Sequence, residues 1–280
     1  MHHSDDHHEP YFGWEVDPPI SILHLVESGT LDLRLSSLLW LALERRLPVV
    51  SAAKPRLVGK TTLLVALRDL APPWLDIVYT RGEEEDLCFL QETDPARTSI
   101  WVNELSDHLP WYFWGQPARE LFAALERGYG LAATLHADTP EQLFTYLAAA
   151  PLRIPPEQLA RLGLIIVLGF FSEAGGWVRR VRAASLVLPN NRDGLPATLR
   201  LAEWEPSEGR LRHNGSREAV EALARRLGLD SGVLAPGSDR GLAHELARRQ
   251  ELLARCLSHG ETGVEQVRAA VSEFYSRTGK

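Results

Sequence analysis

Leucines at Leu31, Leu35, Leu38, Leu39 and Leu43 recur in steps of three and four, so residues 31–43 predict an amphipathic helix with one face against a core. The period then changes. Residues 47–53 are a short run of apolar, β-branched and small side chains, as in a buried strand, and residues 60–70, after Gly59, are helix formers that stop before Pro72-Pro73. Further apolar runs predict strands over 75–79, 99–103, 131–135 and 164–168, with helices over 117–127 and 140–148 between them. Strands that are apolar on both faces and alternate with helices imply an α/β fold with a mainly parallel sheet covered on both sides. From 177 to about 212 the pieces shorten and turn signals at 190–194 and 207–209 intervene, which predicts antiparallel hairpins at the sheet edge. Segments 217–227, 240–257 and 264–277, rich in Ala, Leu, Glu and Arg, predict a C-terminal helical region. The chain thus divides into a polar, His-rich lead-in over 1–19 expected to be disordered, a core with edge hairpins over 20–212, and a helical region over 213–280.

Composition narrows the function. With 45% hydrophobic and 24% charged residues the chain has the make-up of a globular protein, and a net charge of −7 without a long Lys or Arg run argues against a broad nucleic-acid-binding face. Cys88 and Cys256 are far apart and fit neither a zinc spacing nor a disulfide framework, so they read as buried apolar residues in a reducing compartment. The longest apolar run, 162–171, is half of the ~20 residues a membrane span needs, and the first residues carry no apolar signal core; the expected location is the cytoplasm. The histidines at 2, 3, 7 and 8 lack the fixed geometry of a metal site, and none is expected there.

The chemistry concentrates at predicted strand ends. Gly59-Lys60-Thr61-Thr62 follows a strand and opens a helix, the context of a phosphate loop: backbone N–H groups attract phosphates, Lys60 reaches the β/γ oxygens, and the Thr61 hydroxyl ligates Mg²⁺. The pattern GxxxxGK[ST] asks for glycine five residues before Gly59, where this chain has Lys54, followed by Pro55. A side chain there either reshapes the cradle or weakens phosphate binding. Residues 99–104 form an apolar strand ending in Glu104, a candidate catalytic base whose alternative role is to cap the strand-to-loop turn. Residues 133–139 form another, ending in His136, whose alternative role is that of a satisfied structural histidine. In a parallel sheet these ends emerge on one carboxyl edge, where ligands of open α/β sheets bind, so Lys60, Glu104 and His136 are predicted to converge.

These segments carry a resemblance. Asn103-Glu104-Leu105-Ser106-Asp107, the stretch from Gly128 through Thr134-Leu135-His136-Ala137 to Asp138, and the Gly59-Lys60-Thr61-Thr62 loop are similar to the Walker B, histidine box and Walker A of the type II secretion protein E and type IV pilus motor ATPases, over roughly residues 20–187. The resemblance implies a RecA-like P-loop NTPase core that binds ATP and Mg²⁺, commonly assembles as a hexameric ring, and couples turnover to motion of a membrane-platform protein. It places Gly59, Lys60, Thr61 and Thr62 on the nucleotide, Thr61 on Mg²⁺, and Glu104 and His136 in the catalytic positions; Glu83, Glu84 and Glu85 stand where the family has an acidic box. The function it implies is an ATP-hydrolysing subunit of a secretion or pilus assembly system, with a catalytically impaired nucleotide-binding scaffold as the alternative.

The departures are specific. Lys54 replaces the first loop glycine, Ser106 replaces the arginine after the Walker B acid, and the family's N-terminal domain and four-cysteine metal module have no counterpart in these residues. A ring motor needs arginines at its phosphates; Arg81, Arg119 and Arg179 are the candidates. The aromatic run 111–114 is expected to pack on a neighbouring helix, with base stacking or partner docking as alternatives.

Overall fold

Why the chain alternates period is visible in its core. The computed structural model describes residues 14–82, 85–110, 112–173, 175–189, 194–231 and 241–278. Its strands are β1 (Val49–Ala52), β2 (Asp76–Tyr79), β3 (Thr98–Leu105), β4 (Gly130–Leu135), β5 (Leu164–Glu173), β6 (Gly176–Val187), β7 (Thr198–Glu205) and β8 (Arg210–His213). They form one sheet in the order β2-β3-β4-β1-β5-β6-β7-β8. From β2 to β5 the pairing is parallel, and from β5 to β8 it is antiparallel. The fold is therefore α/β, with a mixed sheet of parallel strands and antiparallel edge hairpins.

Both faces of the parallel half are buried, which is why its strands read as unbroken apolar runs. Val49 of β1 and Leu164, Ile166 and Leu168 of β5 point to one apolar cluster, whereas Val50, Ala52, Ile165 and Val167 point to the other. The first cluster takes α1 (Ile22–Glu27), α2 (Leu33–Glu44), α3 (Lys60–Arg68), α7 (Arg217–Leu227), α8 (Leu242–Ser258) and α9 (Val264–Thr278); the second takes α4 (Gln116–Leu125), α5 (Pro140–Ala148) and α6 (Pro156–Leu159). Caps start the helices where the sequence supplies an oxygen: Asp32 accepts from Leu35 N–H, Thr139 from Gln142 N–H and Ser216 from Ala219 N–H. Gly163 marks a close approach of chain to chain, since a Cβ there would sit 2.3 Å from Leu47 and 2.8 Å from the Pro48 carbonyl.

Differences from the sequence reading have local causes. Helices α1 and α6 are too short to show a period; α1 is started by Ser21, whose Oγ accepts from Leu23 N–H while its own N–H donates to His24 Nδ1 at 3.0 Å. The strand expected over 164–168 runs to Glu173, because β6 supplies antiparallel partners beyond the end of β1: Ala52 pairs with Val167, and the next six residues of β5 overhang the parallel edge. Only Cys256 is buried; Cys88 begins a 3₁₀ turn, Cys88–Gln91, and is half-buried, a correction to the expectation for both sulfurs. The C-terminal helices share the core, with Trp40 of α2 donating from Nε1 to the Tyr275 hydroxyl at 2.9 Å. Of the lead-in expected to be disordered over 1–19, residues 1–13 lie outside the described residues, but Trp14 is buried against Tyr79 and Trp101, a correction for its last residues. Glu83, Glu84, Trp111 and residues 190–193 of the expected turn at 190–194 also lie outside the described residues. Among the described residues no helix is long and apolar enough to cross a membrane.

Candidate functional site

At the carboxyl edge of the parallel strands lies a cleft of about 860 Å³. Its floor is the segment between β1 and α3. Gly59 caps α3 in the left-handed region (φ 102°), which no side chain adopts cheaply, and so turns the chain from strand into helix with the α3 N-terminus facing the cleft. Lys60, Thr61 and Thr62 follow at the first turn and line the same cleft.

The three strand-end groups meet here. Lys60 Nζ lies 3.3 Å from Glu104 Oε2, and 3.2 and 3.3 Å from His136 Nδ1 and Nε2. Strand β4 lies between β1 and β3, and its terminal His136 therefore stands between the lysine and the acid, 3.8 Å from Glu104 Oε2. His136 Nδ1 is also 3.2 Å from the Lys54 carbonyl. Ammonium can only donate and a carbonyl can only accept, so this network assigns the proton to Nδ1 and the lone pair to Nε2, facing Lys60. Burial, foremost, holds the His136 pKa below its ordinary value, with Lys60 and His108 adding to it and Glu104 opposing, so the ring is neutral at neutral pH. Burial likewise lowers the Lys60 pKa, against the pull of Glu104.

Glu104 is held from below. Thr134 Oγ1 donates to Oε2 at 2.7 Å and also lies against the Asn103 carbonyl, so its single proton serves one of them at a time. The other carboxylate oxygen, Oε1, is buried with no hydrogen-bond partner. Such an orphan acceptor is costly unless a donor or cation reaches it. Thr61 Oγ1 lies 3.4 Å from Asn103 Oδ1.

The loop solves its missing glycine by placing its left-handed residues elsewhere. Positive φ falls at Leu57 (60°) and Gly59 (102°), not at Lys54. Lys54 is exposed and is not among the side chains lining the cleft, so it does not fill the cradle. Three contacts hold the loop's shape: Lys54 N–H donates to Asp138 Oδ1 at 3.2 Å, the Lys54 carbonyl meets His136, and Arg179 Nε donates to the Leu57 carbonyl at 3.0 Å.

Sequence reasoning named Arg179 as a candidate arginine but missed the wall in which it stands. Arg179 belongs to the overhanging β5–β6 hairpin and lies against the loop, its Cδ 3.6 Å from where a Cβ on Gly59 would stand. Arg180 ties the hairpin to the turn after α1, donating to the Ser28 carbonyl at 2.7 Å and pairing with Glu173 at 3.0 Å. Among the described residues, Arg56, Lys60, Arg179 and Arg180 line the cleft with Glu104 as the one carboxylate, an anion-attracting field in a chain whose net charge is −7. The signal for this wall was the charged pair 179–180 in an otherwise apolar hairpin, but nothing local says that the hairpin overhangs β1.

The remaining candidates lie apart from the lysine. Glu85 is buried and accepts from the N–H groups of Arg81 and Leu87 at 2.9 and 2.8 Å, shaping its own loop. Arg119 caps Gln116 and the Pro151 carbonyl on the surface. Ser106 is fully buried against His108, whose ring meets His136 edge-on at 5.3 Å. In the aromatic run, Phe113 is buried and Trp114 stacks on Tyr146 of α5 at 4.8 Å, while Tyr112 lines the cleft. Among the described residues no group of three or more His, Cys, Asp and Glu could hold a metal by itself.

No protein-family model matches the chain. It is similar to two uncharacterized proteins of Methanocaldococcus jannaschii: MJ1287, 24% identical over 82% of this chain and 88% of that protein, and MJ0900, 23% identical over 94% of this chain and 50% of that protein. Among solved structures it is similar to the VirB11 ATPase of the Brucella suis type IV secretion system, determined with sulphate, at 18% identity and a TM-score of 0.40 over 64% of each chain. It is also similar to the Yersinia pseudotuberculosis ATPase DotB, at 13% identity and a TM-score of 0.39 over 89% of this chain and 62% of that one. The chain thus spans about half of MJ0900 and less than two thirds of either solved chain.

Proposed function

We propose that this chain binds a nucleoside triphosphate with Mg²⁺ at the α3 N-terminus and hydrolyses it, as a RecA-like motor subunit of a secretion or pilus-type assembly system that works with further copies of itself and a membrane-platform protein. The observation that carries the reading is the meeting of Lys60, Glu104 and His136 at one strand edge over a cleft of about 860 Å³, from positions far apart in sequence. The assembly context rests on the sequence resemblance of the same three segments.

The residues suit the chemistry. Phosphates against the α3 N-terminus meet backbone N–H groups and the positive end of the helix dipole. Lys60 Nζ then turns from Glu104 to the β/γ oxygens, which leaves Glu104 as a buried carboxylate with its Oε1 unpartnered. That carboxylate orients a water on the γ-phosphorus and takes its proton as the water oxygen bonds to phosphorus and the bridging P–O bond breaks. Thr61 Oγ1 is the group that would hold Mg²⁺, which neutralises charge on the phosphate oxygens when bound. Neutral His136, fixed by the Lys54 carbonyl, reports the position of the lysine to the loop.

A second reading, a nucleotide-binding scaffold without turnover, is favoured by Lys54 in the loop and Ser106 after the acid. Calorimetric titration with Mg-ATP, paired with phosphate release, separates them. Binding and turnover that both vanish in Lys60→Ala support the motor; binding without turnover supports the scaffold; wild-type protein that binds no nucleotide removes both.

A further inference from the structure

Resting on the nucleotide reading, we infer that Trp177, at the tip of the β5–β6 overhang, is the platform on which the base of the bound nucleotide stacks. Three large hydrophobic side chains are exposed among the described residues, Leu57 at 86%, Trp177 at 75% and Leu195 at 44%, and the two most exposed line the phosphate-loop cleft. An exposed indole next to a polyphosphate site asks what covers it.

The hairpin geometry answers in terms of distance. Arg179 touches the phosphate loop through the Leu57 carbonyl, its guanidinium lying 5.9 Å over the Phe170 ring. Trp177 is two residues further out on the same face of β6, opposite Ser172 where Arg179 is opposite Phe170. Two residues of strand span about 7 Å, a spacing that suits the ribose between phosphates and base. The cleft's volume of about 860 Å³ is at the upper part of the ~300–1,000 Å³ range for small-molecule sites and exceeds what phosphates alone occupy. Stacking follows ring area and does not by itself read the base edge, so a π-face favours purines over pyrimidines without choosing between adenine and guanine.

The test compares Mg-ATP, Mg-GTP, Mg-UTP and inorganic tripolyphosphate on wild type, Trp177→Ala and Trp177→Phe by calorimetry, with sedimentation of each variant alongside. Expected is that ATP and GTP bind alike and more tightly than UTP. Trp177→Ala weakens ATP by roughly tenfold, in the range of a lost base–aromatic stack, and leaves tripolyphosphate unchanged, while Trp177→Phe keeps most of the affinity. Equal weakening of ATP and tripolyphosphate, or no change in either, overturns the platform while leaving the phosphate site standing. A smaller assembly with unchanged ATP affinity also overturns it and makes the indole a contact between copies of the chain. If neither ATP nor tripolyphosphate binds wild type, the nucleotide reading falls and takes the platform with it.

Discussion

Two of the buried-charge clusters among the described residues are built differently. Between α2 and α8, Arg249 is wholly buried: its Nη groups meet Glu44 and Glu245, the latter at 2.7 Å, and the Trp40 and Phe274 rings cover it at 5.4 and 5.2 Å. Tyr275 donates to Glu44 at 3.0 Å, and burial, with that carboxylate adding to it, pushes its hydroxyl far above the ordinary tyrosine range. No member of this network lines the phosphate-loop cleft. At the sheet edge, Lys60 and Glu104 form a single pair with a neutral histidine beside it, an unpartnered oxygen beneath it and the cleft above. Each cluster leaves one buried atom unpartnered, Arg249 Nε in the first and Glu104 Oε1 in the second; what differs is that aromatic rings enclose the first while a cleft opens on the second, where a ligand has access.

The contrast can be broken, and the largest effect belongs to the edge. Glu104→Gln keeps the carbonyl that accepts from Thr134 and removes the base, so phosphate release falls by about 10²–10⁴-fold with Mg-ATP affinity retained; unchanged turnover returns Glu104 to the role of a structural cap. Arg249→Ala removes the guanidinium that bridges two buried carboxylates and costs about 3–5 kcal/mol in a denaturant titration, several times the stability cost of Glu104→Gln, because Lys60 can swing into the cleft and Arg249 has no such exit. If Glu104→Gln destabilises as much, the two clusters are of one kind. Away from both, Gly163→Ala drives a Cβ into Leu47 and the Pro48 carbonyl and lowers stability by about 1–3 kcal/mol.

The smaller effects sharpen the description of the edge. His136 titrates below its unfolded value of 6.5, so the unfolded chain takes up its proton first as pH falls. Its contribution is therefore full above that value and declines as pH drops through 6.5 toward the folded pKa. Comparing unfolding free energies at pH 7.5 and 5.5 in wild type and His136→Gln isolates it; the variant loses less stability on acidification, and an identical loss refutes the buried neutral ring. Smallest is Lys54→Gly. Because the loop takes positive φ at Leu57 and Gly59 and not at 54, restoring the motif glycine leaves ATP affinity unimproved and costs about 0.5–1 kcal/mol of stability through backbone entropy. A tighter complex would show that the lysine does obstruct phosphate.

Much of the fold was legible because its elements are long against their period. The leucine spacing before β1, the two-faced apolar runs and the turn-punctuated hairpins each report local chemistry. Helix α1 and the overhang of β5 were not legible: one is shorter than two turns, and the other exists because β6 pairs with it past the end of β1. At the site, Lys60, Glu104 and His136 could be proposed together because strand ends of a parallel sheet share an edge. Thr134 stood out only as part of the Thr134-Leu135-His136-Ala137 resemblance, and its place beneath the acid gave no signal, since a threonine in an apolar strand is ordinary.

By itself the sequence determined the alternation of the longer strands and helices, from which a parallel sheet was expected, and the placement of an ammonium, an acid and an imidazole at strand ends, since periodicity and residue position are local properties. Only the tertiary structure decided that β4 stands between the lysine and the acid, that Lys54 turns away from the cradle, and that the β5–β6 hairpin brings Arg179 and Trp177 over the loop. Those depend on which strands pair and how far they overhang, and pairing is set by burial across the whole sheet rather than by any stretch of chain.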